Sequence, residues 1–360
     1  MRLLAAISHH GLGHLAQAAP VLDALHALRP DLEFLVWSGL PQTALAARIH
    51  APFRHRPAPA DVGLAMHDAV RVDLEASRAA YLDFHRDWEA RVVVEAAWLL
   101  EQEVSGVLAD VACLPLAAAA RAGIPGVALC SLNWVDIAAA YLADQPGMDT
   151  VLEQMAAAYR SARAFLRATP AMPMDWLEKR EDLPPIAARG VDQGAALRAR
   201  LGLDGERLVL IGFGGVNFSA AASLPVVPGV RWLVPDDWCM ARSLADRPDL
   251  VPFARTGLAF IDLLASADAL ITKVGYGSFV EAAARGLPVL YLDRPDWPET
   301  PFLANWLVEH ANAAVITETE LFTPQLAARL AALWRLPPRQ PCATPGAEEA
   351  ARRVLEHLSL

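Results

Sequence analysis

The chain alternates short apolar runs with longer stretches in which apolar residues recur at helical spacing. Residues 3–7 form the first run; Gly11 and Gly13 follow, and from His14 a helical pattern carries Val21, Leu22, Leu25 and Leu28. A strand, a glycine turn and a helix form the opening unit of a nucleotide-binding α/β sheet. Residues 32–37 read as the next strand, 49–59 as a strand passing into a surface loop rich in Pro, Arg and His, and 74–103 as mainly helix. A short strand at 107–108 ends at Asp110, and 127–130 is another strand. Between them lies a helix at 114–122, closed by Gly123 and followed by Pro125, the pairing that stops a helix. This rhythm predicts a mostly parallel sheet.

Pro170, Pro173, Pro184 and Pro185 interrupt the pattern between residues 169 and 186. A domain boundary is placed there, giving an N-terminal domain 1–185 and a C-terminal domain 186–360. The rhythm then restarts with a small helix near 198–204 and strands at 208–213, 231–234, 269–272 and 289–292. Helices are expected at 260–265, 278–284, 304–309 and 346–358. Gly212, Gly214 and Gly215 end one strand, and Gly275 and Gly277 follow another. Two such halves leave a cleft, and ligands of such sheets bind beyond the carboxyl ends of strands. The pattern leaves open whether the final helix returns to the first domain.

Composition narrows the function. With 360 residues, 54% hydrophobic, the chain can bury two cores. A net charge of −10, without a basic stripe, excludes a protein that coats nucleic acid. An anionic metabolite can still be held by backbone N–H groups at a helix start. The four cysteines are widely spaced with no CxxC, against a metal cluster or a disulfide framework; Cys113 and Cys130 read as buried small apolar residues. The N-terminus lacks a basic region followed by a long apolar core, and the apolar runs at 211–213 and 114–122 are far below spanning length. No transmembrane segment and a cytoplasmic location are expected; peripheral membrane contact stays open.

Two segments carry a resemblance. Ser8-His9-His10-Gly11-Leu12-Gly13-His14 resembles the first loop of GT-B glycosyltransferases. Thr272 to Glu281, with the following AAARGLPVL, resembles their donor-binding motif, as in the bacterial lipid-intermediate N-acetylglucosaminyltransferase family of peptidoglycan synthesis. Further pieces are similar to the glycosyltransferase-like region preceding the kinase domain of plant L-arabinokinases. They are Asp110-Val111-Ala112-Cys113, Ser131-Leu132-Asn133-Trp134, Lys273-Val274-Gly275-Tyr276-Gly277 and Glu299-Thr300-Pro301-Phe302-Leu303-Ala304-Asn305. No galactokinase-like phosphate loop follows, so kinase activity is not implied.

The resemblance implies an α/β GT-B fold, two Rossmann-like domains facing a central cleft. It also implies an inverting, metal-independent transferase that moves a sugar from a nucleoside diphosphate, a UDP-sugar by family, to an acceptor hydroxyl. His14 matches the general base, and an imidazole suits that task; its place at a helix start would tend to keep it neutral. A plainer role is contact with phosphate or backbone. Asp110 matches the partner that orients the base, and also reads as a helix N-cap. Gly11, Gly13, Gly214 and Gly215 match glycine loops that let backbone approach the ligand, although a bare GxGG also reads as an ordinary turn. Gly275, Gly277 and Ser278 would hold the diphosphate, with charge from Lys273. Glu281 matches the carboxylate on the ribose, and the stretch around Phe260 matches the backbone that receives the base. Glu299 and Asn305 fall where the donor sugar is read. Glu299-Thr300-Pro301 departs from the Asp-Gln or Gln-Gln common there, which leaves the sugar open, and the histidine of the plant secondary-metabolite signature is missing. His9, His10, Trp134, Asp136, Tyr141 and the stretch from His55 to His85 are weaker candidates for the acceptor side. Two other readings are a non-catalytic nucleotide-sugar-binding or regulatory protein and a nucleotide-sugar 2-epimerase.

Overall fold

The computed structural model describes residues 1–68, 71–214, 224–239 and 247–360. Two parallel sheets organise them. The first contains β1 (Arg2–Ile7), β2 (Glu33–Ser38), β3 (Phe53–Pro57), β4 (Gly106–Asp110), β5 (Gly126–Cys130), β6 (Phe165–Ala168) and β7 (Arg180–Leu183), in the order β3-β2-β1-β4-β5-β6-β7. The second contains β8 (Arg207–Gly212), β9 (Val230–Val234), β10 (Leu250–Pro252), β11 (Ala269–Lys273), β12 (Val289–Leu292) and β13 (Ala313–Ile316), in the order β10-β9-β8-β11-β12-β13. Every residue of β4 and β5 is buried, as central parallel strands covered by helices on both faces require.

Register decides which loops meet. Ile7 lies opposite Asp110, so the loop after β1 emerges beside the end of β4. Thr272 lies opposite Gly212 and Lys273 opposite Leu292. The loops after β8, β11 and β12 therefore open together at one edge of the second sheet.

Several elements go beyond the pattern read from sequence. β6, β7, β10 and β13 are short, and β7 lies at the sheet edge with Arg180 and Glu181 half-buried and Asp182 exposed. β7 falls inside the proline-rich stretch where the boundary was placed. The helical stretch 74–103 is two helices, Leu74–His85 and Trp88–Glu101, divided at Arg86 and Asp87.

The halves touch through closely packed helices. A Cβ on Gly277 would lie 2.6 Å from the Cβ of Ala16, so helix Tyr276–Ala283 meets helix Leu12–Leu28 where only glycine fits. The Tyr276 hydroxyl accepts from the Ile186 N–H at 2.9 Å and donates to the Thr169 carbonyl at 3.0 Å. The last helix, Gly346–Leu358, buries Ala350, Ala351 and Val354 and packs on helix Leu12–Leu28. Its Arg353 and His357 each lie 2.9 Å from Glu181 of β7.

Candidate functional site

A cleft of about 690 Å³ runs between the carboxyl edges of the two sheets. His9 through Gln17 line one wall, with Gly214, Phe260, Lys273 to Ser278, Glu281 and Glu299 opposite. Two helices aim their starts into it. Helix Leu12–Leu28 begins after Gly11, whose φ of 82° favours glycine, and carries no side-chain cap. Helix Tyr276–Ala283 begins after Gly275, also without a side-chain cap. A Cβ on Gly11 or Gly13 would meet nothing within 4 Å. Uncapped N–H groups beside open space form a place for an anion.

His14 and Asp110 meet at the cleft floor. His14 Nδ1 lies 3.0 Å from Asp110 Oδ1, and both side chains are buried. With Nδ1 held there, Nε2 is the ring nitrogen without a hydrogen-bond partner among the described residues. Burial alone would lower the His14 pKa, but the hydrogen bond and charge of Asp110 outweigh it and hold the histidine above its ordinary value. The helix-start argument for a neutral imidazole is thus overridden by a buried carboxylate in contact. Cys130 Sγ lies 3.6 Å from His14 Nδ1. His14, Asp110 and Cys130 stand close enough to share an ion. Nδ1 and Oδ1 are already bonded to each other, and burial pushes the Cys130 thiol far up.

The loop before the helix is anchored from behind. Asp61 Oδ2 accepts from Trp134 Nε1 at 2.8 Å, and Asp61 Oδ1 lies 3.4 Å from His9 Nδ1. Burial would raise the Asp61 carboxyl, yet hydrogen bonds from His9 and Ser8 bring it below the usual range. His10 packs edge-on to Trp134 and stacks on Trp297, and burial, then the charges of His14 and Lys273, lower its pKa to about 3.

The donor-side wall places the remaining residues. Lys273 is half-buried, its pKa lowered to about 7 by burial and then by the charge of Arg294. A Cβ on Gly212 would strike the Phe260 ring at 2.7 Å, so that glycine seats the ring. Glu281 is buried and receives an ion pair from Arg48, which reaches across from the other half and stands 5.8 Å from the Phe260 ring centroid. Burial pushes the Glu281 carboxyl up, and Arg48 opposes it. Glu299 accepts from Ser131 Oγ at 2.6 Å and from Trp297 Nε1 at 3.3 Å. Gln17 ties the same corner, donating to Ser131 Oγ at 3.2 Å and accepting from the Ser131 N–H at 3.0 Å.

Not every expected residue reaches the cleft. Asn305 is exposed on the outer face of helix Thr300–His310, because Leu303, Trp306 and Leu307 turn the opposite face to the core. Gly215 lies outside the described residues. Asp136 accepts from Trp176 Nε1 at 2.8 Å and Tyr141 donates to the Asp296 carbonyl; neither lines the cleft. Asp110 is the N-cap of no helix: the following helix, Cys113–Ala122, has Ala112 there. Sequence reasoning missed Arg48, Asp61, Gln17, Arg294 and Trp297. The last two follow the carboxyl end of β12 in a segment dense in Pro, Asp and Trp, a position where ligands of parallel sheets bind.

No family model matches the chain. It is 27% identical over 312 residues to the L-arabinokinase of Arabidopsis thaliana, covering 84% of this chain but 29% of that protein. Among solved structures it is similar to the spinosyn forosaminyltransferase SpnP, with TM-score 0.60 and 17% identity over 100% of this chain and 95% of the other. It is also similar to the MurG of Acinetobacter baumannii, with TM-score 0.51 and 15% identity over 99% and 98%. The chain has the GT-B fold. No helix among the described residues is long and apolar enough to cross a membrane.

Proposed function

We propose that the chain is a glycosyltransferase that moves a sugar from a nucleoside diphosphate, UDP by resemblance, to an acceptor hydroxyl. The observation that carries this reading is the buried His14–Asp110 pair at 3.0 Å, set in the same cleft as the uncapped helix start after Gly275. The neutral imidazole takes the acceptor proton on Nε2 while Asp110 fixes Nδ1 and stabilises the imidazolium that results. Attack from the face opposite the leaving diphosphate inverts the anomeric centre. The N–H groups after Gly275, with Lys273, stabilise the charge that develops on the departing diphosphate. No step in this scheme calls on a metal ion. The assay is release of nucleoside diphosphate from a panel of nucleotide sugars in the presence of a metabolite extract that supplies acceptors. Release that rises with extract and vanishes on boiling supports transfer; no release from any donor opposes it.

The His14 pKa gives the pH dependence. A base must be unprotonated, so the transfer rate should climb as pH rises through a value above the ordinary 6.5, and fall on the acid side. Asp110→Asn should move the inflection downward, which a kcat/KM profile from pH 5 to 9 reads. Stability runs the other way: the contribution of the raised histidine is full below its unfolded pKa and is lost as pH rises through the folded one.

Lys273 gives a second expectation. With a pKa of about 7, it is partly unprotonated near neutrality. A diphosphate beside it favours the ammonium. Nucleotide binding between pH 7 and 8 should therefore take up protons and weaken as pH rises. Calorimetry in buffers of different ionisation enthalpy measures the uptake, which Lys273→Met should abolish.

A second reading is a protein that binds a nucleotide sugar without turning it over. What favours it is that the matched stretch is 29% of a protein named for a kinase, L-arabinokinase, and not for a sugar transfer. That reading expects binding without diphosphate release, and no change of role in His14→Ala.

A further inference from the structure

Arg294 stands two residues beyond β12 and lines the cleft. It is 6% exposed, yet its Nε has no hydrogen-bond partner among the described residues. Its guanidinium makes no ion pair among the described residues; it lies over Trp297, 4.3 Å from the ring centroid. A buried charge is retained only where something compensates it. The acidic groups around it do not do so by contact. Asp68 and Tyr141 act only through their fields. Glu299 already receives hydrogen bonds on both oxygens, from Ser131 and Trp297. From β11, Lys273 adds a second cation to the same cleft, and no carboxylate pairs with it among the described residues. From the first half, His10 stacks on the same Trp297, with ring centroids 6.0 Å apart and planes 10° from parallel.

Among the described residues, this corner holds the cations Lys273 and Arg294 and the carboxylate of Glu299, already in use. The diphosphate of the proposed donor accounts for Lys273, which ends β11 just before the helix start at Gly275. Arg294 belongs to the next loop, after β12, and pairs with no carboxylate among the described residues. A planar guanidinium backed by an indole offers its edge N–H groups to a carboxylate or phosphate in two-point contact.

We propose that Arg294, walled by Trp297 and His10, is a subsite for an anionic substituent, a carboxylate or phosphate, carried by the transferred sugar or by the acceptor. The proposal rests on the nucleotide-sugar reading above. It adds that the substrate has an anion beyond the diphosphate.

The test uses the full chain and calorimetry. The nucleoside diphosphates UDP, dTDP and GDP are titrated first. The one that binds is then compared as its neutral hexose and as the matching hexuronate (UDP-glucose against UDP-glucuronate in the uridine series). A second arm holds that diphosphate at saturation and compares glucose with glucose 6-phosphate as acceptor probes. The expected result is at least about tenfold tighter binding of the anionic member in one arm, the size of a charge-assisted contact of some 1.4 kcal/mol. Arg294→Gln should erase that preference and leave the diphosphate itself within about threefold, while Arg294→Lys keeps part of it. The arm that responds identifies the source of the anion. No preference in either arm overturns the proposal. So does an Arg294→Gln protein, folded by its melting curve, that loses the bare diphosphate as severely as the anionic ligand, since Arg294 would then belong to the diphosphate. If none of the three diphosphates binds, the nucleotide reading fails and the subsite with it; binding without anion preference removes only the subsite.

Discussion

His14→Ala is expected to cut diphosphate release in the presence of acceptor by about 10²–10⁴-fold, the range of a positioned general base, with nucleotide affinity changed by no more than about twofold. The split follows from geometry. His14 sits on the first half, its Nδ1 tied to Asp110 and its Nε2 without a partner among the described residues, whereas the expected nucleotide contacts come from the second half. A histidine that merely touched phosphate would lose affinity first and rate second. Asp110→Asn separates orientation from charge: the amide can still hold Nδ1 but cannot stabilise the imidazolium, so kcat should fall with KM nearly unchanged. Loss of affinity in both variants, with turnover at saturation intact, would move the pair from chemistry to binding.

The second large effect is on Glu281. Glu281→Ala should remove nucleotide binding and also destabilise the fold by about 3 kcal/mol, because Arg48 is left buried opposite an apolar methyl. The low end of the usual range applies, since the Arg48 side chain keeps 15% of its exposure while Glu281 keeps 1%. The double variant Arg48→Met, Glu281→Ala should recover most of the stability and none of the affinity. Denaturant melts and calorimetry on the three proteins read the two quantities separately. Full recovery of affinity in the double variant would mean that Arg48, and not the lost carboxylate, obstructs the nucleotide. Unchanged stability in Glu281→Ala would mean that the ion pair spanning the cleft contributes nothing.

The parts of this account that sequence carried are those written locally. A strand, a glycine turn and a helix recur at residues 3–28 and 269–284, and the structure has β1 with its helix and β11 with its helix there. His14 is legible in the sequence as a residue at a helix start, and Asp110 as one at a strand end. Their contact is not, because it depends on β1 lying beside β4 with Ile7 opposite Asp110 across 96 positions. Arg48 and Glu281 are 233 residues apart, one in a turn of the first half and the other in a helix of the second, and no spacing rule links them. Asp61 sits in a loop between Ala60 and Val62 with nothing local to mark it; only the fold brings Trp134 to its carboxylate. Asn305 failed for a helical reason: two positions beyond buried Leu303 and one before buried Trp306, it points away from the core. β7 was hidden by composition, since an edge strand reading Arg-Glu-Asp-Leu has too little apolar alternation to be distinguished from the loops around it.

Binding of a nucleoside diphosphate through the second half of the chain is what the proposed transfer requires of this cleft. Its most direct test is calorimetric titration of UDP, GDP, dTDP and CMP, each alone and as its common sugar, into the wild-type protein and into Glu281→Ala. The expected result is selective binding of one nucleoside diphosphate, UDP by resemblance, to the wild type and its loss in the variant. A folded wild-type protein that binds none of them, or a Glu281→Ala protein that binds as tightly as wild type, would contradict it.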